Sequence, residues 1–102
     1  MNDRLSQSKA KPFVSIGCTT FNHGKYIREC IEGFLLQKTD FPIEIIIHDD
    51  ASTDNTPQII DEYAKRYSGL IVPILQTENQ YSKGINPFIS FVFPRARGKY
   101  IA

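Results

Sequence analysis

The stretch "IEIIIHDDASTDNT", residues 43–56, decides the fold. Ile43, Ile45, Ile46 and Ile47 form a β-branched run with Glu44 inside it, the pattern of a strand covered on both faces in a parallel sheet. At its carboxyl end the chain turns abruptly polar: His48, the adjacent carboxylates Asp49 and Asp50, then small turn-forming residues. In open parallel sheets, ligands bind outside the carboxyl ends of the strands, where loops converge. Asp49 and Asp50 therefore stand where a binding rim is expected.

The flanks repeat the same grammar. Upstream, "FVSIGCT" (Phe13–Thr19) is mostly apolar and runs into the polar cluster "TTFNHG", a strand followed by a loop. In "KYIRECIEGFLLQ", Tyr26, Ile27, Cys30, Ile31, Phe34 and Leu35 recur at helical spacing, opposite Arg28, Glu29 and Glu32. Gly33 weakens that helix by about 1 kcal/mol relative to Ala. "TDFP" punctuates its end. Downstream, Thr56 as N-cap with Pro57 in the first helical position starts a second helix. Its apolar positions are Ile59, Ile60, Tyr63, Ala64 and Tyr67, and Gly69 supplies a stop signal.

"LIVPIL", residues 70–75, reads as a third strand, with Pro73 marking a sheet edge because it cannot donate to a ladder. "QTENQYSKGINP" is polar and turn-rich, hence a loop. "FISFVFPRA" fits a short buried helix or a strand, the helix being preferred. "GKYIA" opens a further strand. Strands alternating with helices imply an α/β fold with a mostly parallel sheet and right-handed crossovers.

Composition narrows the function classes. The 102 residues carry a net charge of +1, with 41% hydrophobic and 23% charged residues, an ordinary globular balance. Nothing in it recommends nucleic acid or an anionic membrane as partner. No apolar run approaches the roughly 20 residues of a membrane span. Residues 1–11, "MNDRLSQSKAK", contain no apolar stretch and read as a solvated tail or linker rather than a secretory signal. Cys18 and Cys30 form no CxxC and read as reduced, mostly buried thiols. His23 and His48 lack zinc-ligand spacing.

The two polar loops, "TTFNH" and "HDDASTDNT", would share one rim. A carboxylate there can accept from a base N–H or from ribose hydroxyls, and Phe21 could give a base a face for stacking. Thr19, Thr20 and Asn22 offer hydroxyl and amide groups. The same residue types also serve turns and N-caps. Asp54 and Thr56 are assigned mainly to capping. For one of Asp49 and Asp50, bonding loop amides is as good an explanation as touching a ligand. Asp50, Ser52 and Asp54 alternate as in a calcium loop, but the glycine and terminal Glu of that motif are absent.

Together these segments resemble the start of the family 2 glycosyltransferases of GT-A fold. Those enzymes open with V-S-I/V-x-x-P/T-x-Y/F-N, continue with a helix ending in S-I/V-L-x-Q, and then E-I/V-I-V-V-D-D-x-S-x-D-x-T. Matching residues are Val14, Ser15, Ile16, Thr19, Phe21 and Asn22; Leu36 and Gln37; and Glu44, Ile45, Asp49, Asp50, Ser52, Asp54 and Thr56. "GKYIA" matches the strand that precedes the family's metal motif. The resemblance covers about residues 12–102 and implies a Rossmann-like nucleotide-binding half, cut before the D-x-D metal motif.

What the resemblance implies for the site is a nucleotide half-site. Thr19 and Phe21 line the base, with Asn22 in the same loop. Asp50 bonds the uracil edge, while Asp49 fixes the loop or touches the ribose. Lys83 lies where many members carry a basic residue near base or phosphates. His48 replaces an apolar or small residue as a packing variant. The function implied is inverting transfer from a nucleotide sugar, UDP-linked, to a saccharide or lipid-linked acceptor in cell-surface polysaccharide synthesis. A divalent cation, Mn or Mg, is expected, with its ligands and the catalytic base outside this chain, so that the chain alone would be inactive. A cytoplasmic location, with the inner face of the membrane as one setting, and self-association through an open sheet edge are further expectations. Two other readings compete. One is a non-catalytic nucleotide-binding or interaction module. The other is a receiver-like domain with an Mg²⁺-binding acidic pair, whose later strand-end Thr/Ser and Lys are not recognisable here.

Overall fold

The computed structural model describes residues 12–36 and 40–102. The tail expected over residues 1–11, the end of the first helix at Gln37 and the punctuation at Thr39 lie outside the described residues. Four strands form one parallel sheet in the order β3-β2-β1-β4: β1 is Val14–Thr20, β2 Ile43–Asp49, β3 Ile71–Leu75 and β4 Tyr100–Ile101. Helix α1 spans Ile27–Leu35 and α2 spans Thr56–Arg66. The strand order turns back after β3, because β4 pairs with the far side of β1. That reversal is the kind of switch point at which α/β sheets hold ligands.

Strand β2 is buried along its whole length, as its β-branched run requires. Its alternate residues serve two different layers. Ile43, Ile45 and Ile47 join one core cluster with Ile27 and Ile31 of α1 and with Ile59, Ile60, Tyr63 and Ala64 of α2. Glu44, Ile46 and His48 face the opposite layer, a single π-helical turn at Phe88–Val92 followed by a 3₁₀ turn at Phe93–Arg95. Gly17 of β1 lets that turn approach the sheet: a Cβ there would sit 2.7 Å from both Phe88 and Val92.

Glu44 is buried, which demands partners. Its carboxylate accepts from Ser15 Oγ at 2.6 Å, the Arg97 amide at 2.6 Å and Arg97 Nε at 3.1 Å. Gly98 then donates to Ser15 Oγ at 2.8 Å, which lays β4 beside β1. A Cβ on Gly98 would meet the Ser15 amide nitrogen at 2.6 Å, so only glycine fits this entry to the strand.

Pro73 does lie on a strand at the border of the described sheet. The segment from Phe88 is helical, started by Asn86, whose Oδ1 accepts from the Phe88 and Ile89 amides at 3.0 and 3.2 Å. Several local readings need correction. Thr56 is the first residue of α2 rather than its N-cap; Asn55 holds the cap position, and the Asp54 carboxylate accepts from the Thr56 amide at 2.9 Å. Helix α1 begins at Ile27. Tyr26 is exposed and so is Cys30, because α1 packs against the sheet and α2 along a narrower face than its apolar stripe covers. Cys18 is half-buried, and burial, followed by the nearby Cys30, pushes its thiol up to about 12.

Candidate functional site

The loops after β1 and β2 are stitched together by side chains from both. Asp49, 1% exposed, accepts from Thr20 Oγ1 at 2.8 Å, from Ser52 Oγ at 2.6 Å and from the Ser52 amide at 2.9 Å. Ser52 Oγ in turn accepts from the Asn22 amide at 2.8 Å, and Asn22 Oδ1 accepts from the Thr53 amide at 2.8 Å. Further along, the His23 amide donates to Thr56 Oγ1 at 3.0 Å and the Gly24 amide to Asp54 Oδ2 at 2.9 Å. The Thr56 hydroxyl donates to Asp54 Oδ1, and this bond leads the contacts that hold Asp54 below the usual carboxylate range.

This bonding forces unusual backbone. Asn22 and Ala51 take φ of 53° and 59°. Asn tolerates the left-handed region, but an alanine there costs about 1–2 kcal/mol. The Asp49 grip on Ser52, one residue on, holds Ala51 in place.

Asp50 reaches the other way, to the loop after β3. It is 4% exposed. Its Oδ1 accepts from the Gln80 amide at 2.7 Å and its Oδ2 from the Tyr81 amide at 3.0 Å, while its carbonyl accepts from Asn79 Nδ2 at 3.0 Å. A carboxylate has about four lone-pair sites, so two such bonds leave room for another donor.

Between these loops lies a cavity of about 780 Å³, within the usual range of roughly 300–1,000 Å³ for small-molecule sites. Thr19, Phe21 and Asp50 line it together, from the ends of neighbouring strands. Asn22 and Asp49 lie in the loop-to-loop bonding just described and are not among its lining residues. Lys83 does not line it either; its ammonium sits 3.4 Å from Glu78. His23, from the rim loop after β1, lines it too, and the structure adds wall residues that sequence reasoning did not single out for the site: Asn79, Tyr81, Ser82 and Pro87 among them. His23 Nδ1 accepts from the Phe21 amide at 3.1 Å, which braces the loop carrying the phenyl ring. The pairing of Asp50 with residues some thirty positions away has no sequence signal of its own.

The site offers ring faces, an acidic acceptor, and hydroxyl and amide groups, a set suited to a flat polar heterocycle with a sugar attached. Asp49 and Asp50 point their oxygens at N–H and O–H donors, and among the described residues no group of three or more His, Cys, Asp or Glu gathers to hold a metal ion.

Comparison with known proteins bears on the family and the fold. The sequence profile of the family described as "Glycosyl transferase family 2" matches residues 15–102. The chain belongs to glycosyl transferase family 2. It is 48% identical over 89 residues, 87% of this chain and 25% of the relative, to an uncharacterised protein of Mycobacterium tuberculosis. It is 36% identical to the chondroitin synthase of Escherichia coli, over 91% of this chain and 13% of that protein. Among solved structures, S. aureus TarS aligns with a TM-score of 0.68 at 26% identity, over 87% of this chain and 26% of that one. A mannosyltransferase of Pyrobaculum calidifontis, solved with GDP-Man and Mn²⁺, aligns with a TM-score of 0.57 at 26% identity, over 74% of this chain and 22% of that one. The chain thus spans about a quarter of the length of the first curated relatives it matches. Among the described residues, no helix is long and apolar enough to cross a membrane.

Proposed function

We propose that the chain is the donor-nucleotide portion of an inverting glycosyltransferase that takes its sugar from a UDP-linked donor. The observation that carries this reading is the cavity in which Thr19, Phe21 and Asp50 meet at the carboxyl ends of adjacent strands. Phe21 offers the base a ring face, Thr19 a hydroxyl, and Asp50 an acceptor complementary to the N–H on the uracil edge. Asn22 and Asp49 serve the nucleotide indirectly, by fixing the loops that carry Phe21 and Asp50. Lys83 approaches the phosphates only by leaving Glu78.

In the whole protein, an acceptor hydroxyl on a saccharide or a lipid-linked sugar attacks the anomeric carbon from the face opposite the diphosphate. The new C–O bond forms as the bond to the diphosphate breaks, and the hydroxyl proton passes to a base. That base lies outside these residues. So do most ligands of the divalent cation, Mn or Mg, that would neutralise the leaving diphosphate. The setting proposed is cell-surface polysaccharide synthesis in the cytoplasm, with the inner face of the membrane as one place for it. Alone, the 102-residue chain binds the donor nucleotide without transferring the sugar.

Calorimetry of the 102-residue chain with UDP and GDP tests this. UDP is expected to bind better than GDP, with Mn²⁺ changing the UDP affinity little. Preference for GDP would overturn the choice of base, and binding of neither nucleotide would overturn the reading itself.

A further inference from the structure

The loop after β3 presents a ring, rather than a charge, to the cavity. Tyr81 is 76% exposed and lines the cavity, although its backbone is firmly held. Its amide is tied to Asp50 Oδ2, and the Gly84 amide closes the 3₁₀ turn Tyr81–Lys83 onto its carbonyl at 2.9 Å. Asn79 braces the same turn: its Oδ1 accepts from the Ser82 amide at 2.8 Å and its carbonyl from Ser82 Oγ at 3.1 Å. Gly84 ends the turn in the left-handed region, with φ of 82°. All of these bonds hold the backbone, and none uses the tyrosine side chain.

A large ring exposed on a preorganised turn needs less ordering to meet a partner than one on a loose loop, since its backbone is settled before any ligand arrives. Phe21, 46% exposed, is the other phenyl-type ring on the cavity wall, and it comes from the loop after β1. We propose that Tyr81 is a second aromatic contact for the base of the bound nucleoside diphosphate, acting from the loop after β3 as Phe21 does from the loop after β1. This inference rests on the nucleotide reading given above. A base gains from ring faces in a way that a phosphate does not, and ring stacking on bases needs no hydrogen bond from the ring. The contact is therefore with the heterocycle, and the phenol oxygen is dispensable.

The test titrates UDP and uridine into the parent chain, Tyr81→Ala, Tyr81→Phe and Phe21→Ala, followed by the amide NMR spectrum. Tyr81→Ala is expected to weaken UDP and uridine by the same factor, about tenfold, with Tyr81→Phe close to the parent. Because the side chain is exposed, the spectrum away from the turn and the thermal midpoint should not change. Parent-like affinity in Tyr81→Ala, beside a weakened Phe21→Ala, would overturn the inference and leave the nucleotide reading standing. Loss of UDP affinity with uridine unaffected would also overturn it, by moving the contact to the diphosphate. If the parent binds neither ligand, both readings fall together.

Discussion

At the scale of single residues, Asp49 and Asp50 share a chemistry and divide the work. Asp49 spends its oxygens within the loops after β1 and β2. Asp50 crosses to the loop after β3 and also lines the cavity. Replacing Asp50 with Ala should weaken UDP binding by about 1–3 kcal/mol, the range for leaving a polar partner unpaired. It should also speed hydrogen exchange at the Gln80 and Tyr81 amides, which lose their acceptor. Calorimetry and exchange on one sample would check both; unchanged affinity with accelerated exchange would confine Asp50 to the loop. The rim position of Asp50 was legible, because it follows a buried strand directly. Its partners were not, because nothing local links residue 50 to residues 80 and 81.

At the scale of elements, the strands and two long helices were legible because their periodicities are dictated by the layers they cover. The segment from Phe88 was readable as apolar, but its sequence fits a short buried helix or a strand; the structure makes it a π turn followed by a 3₁₀ turn in which Val92 is buried while Ile89 and Phe93 are exposed. Its winding is set by the sheet beneath it, where Gly17 leaves room for Phe88 and Val92. Gly17→Ala should therefore destabilise the chain by about 1–3 kcal/mol through overpacking. A urea titration would register it as a lower midpoint with unchanged slope. An unchanged midpoint would mean that the 88–92 turn moves aside at no cost. The extent of the apolar stripe on α1 misled in the same way. Tyr26 and Cys30 fit the period, yet only Ile27 and Ile31 in that helix are fully buried.

At the scale of the whole molecule, two buried titratable groups on the face opposite the helices contribute to the response to acid. His48 is 0% exposed, stacks on Phe91 at 5.4 Å between ring centroids, and has no hydrogen-bond partner for either nitrogen among the described residues. Burial pushes its imidazole below the ordinary value of 6.5, with the Asp50 and Asp49 charges opposing. The unfolded chain then binds a proton that the folded chain excludes, so this contribution is full above pH 6.5 and is lost as pH falls below it. Glu44 adds a lower step. Burial pushes its carboxyl up, but the Ser15 hydroxyl and the Arg97 amide and guanidinium outweigh it and leave it below the ordinary 4.5. Its contribution is present above pH 4.5 and fades at lower pH. Thermal midpoints between about pH 8 and pH 3 should fall in both windows, and His48→Leu should abolish the upper step while retaining the lower one. A variant that keeps the upper step would assign it to another group.

The sequence by itself determined the parallel α/β layers and the strand-end position of the acidic pair, because burial periodicity and strand-end position are properties of neighbouring residues; the family was legible through the resemblance of its ordered motifs. Only the tertiary structure decided which residues face the cavity. It set Tyr81 in the wall and Lys83 beside Glu78, gave Asp50 its two amides, and left the His48 nitrogens without a hydrogen-bond partner among the described residues. The physical reason is range: the bonds of Asp50 and the walls of the cavity join loops tens of residues apart, which meet only after the sheet has brought the strand ends together, while the Lys83–Glu78 pair depends on how the loop after β3 folds back on itself.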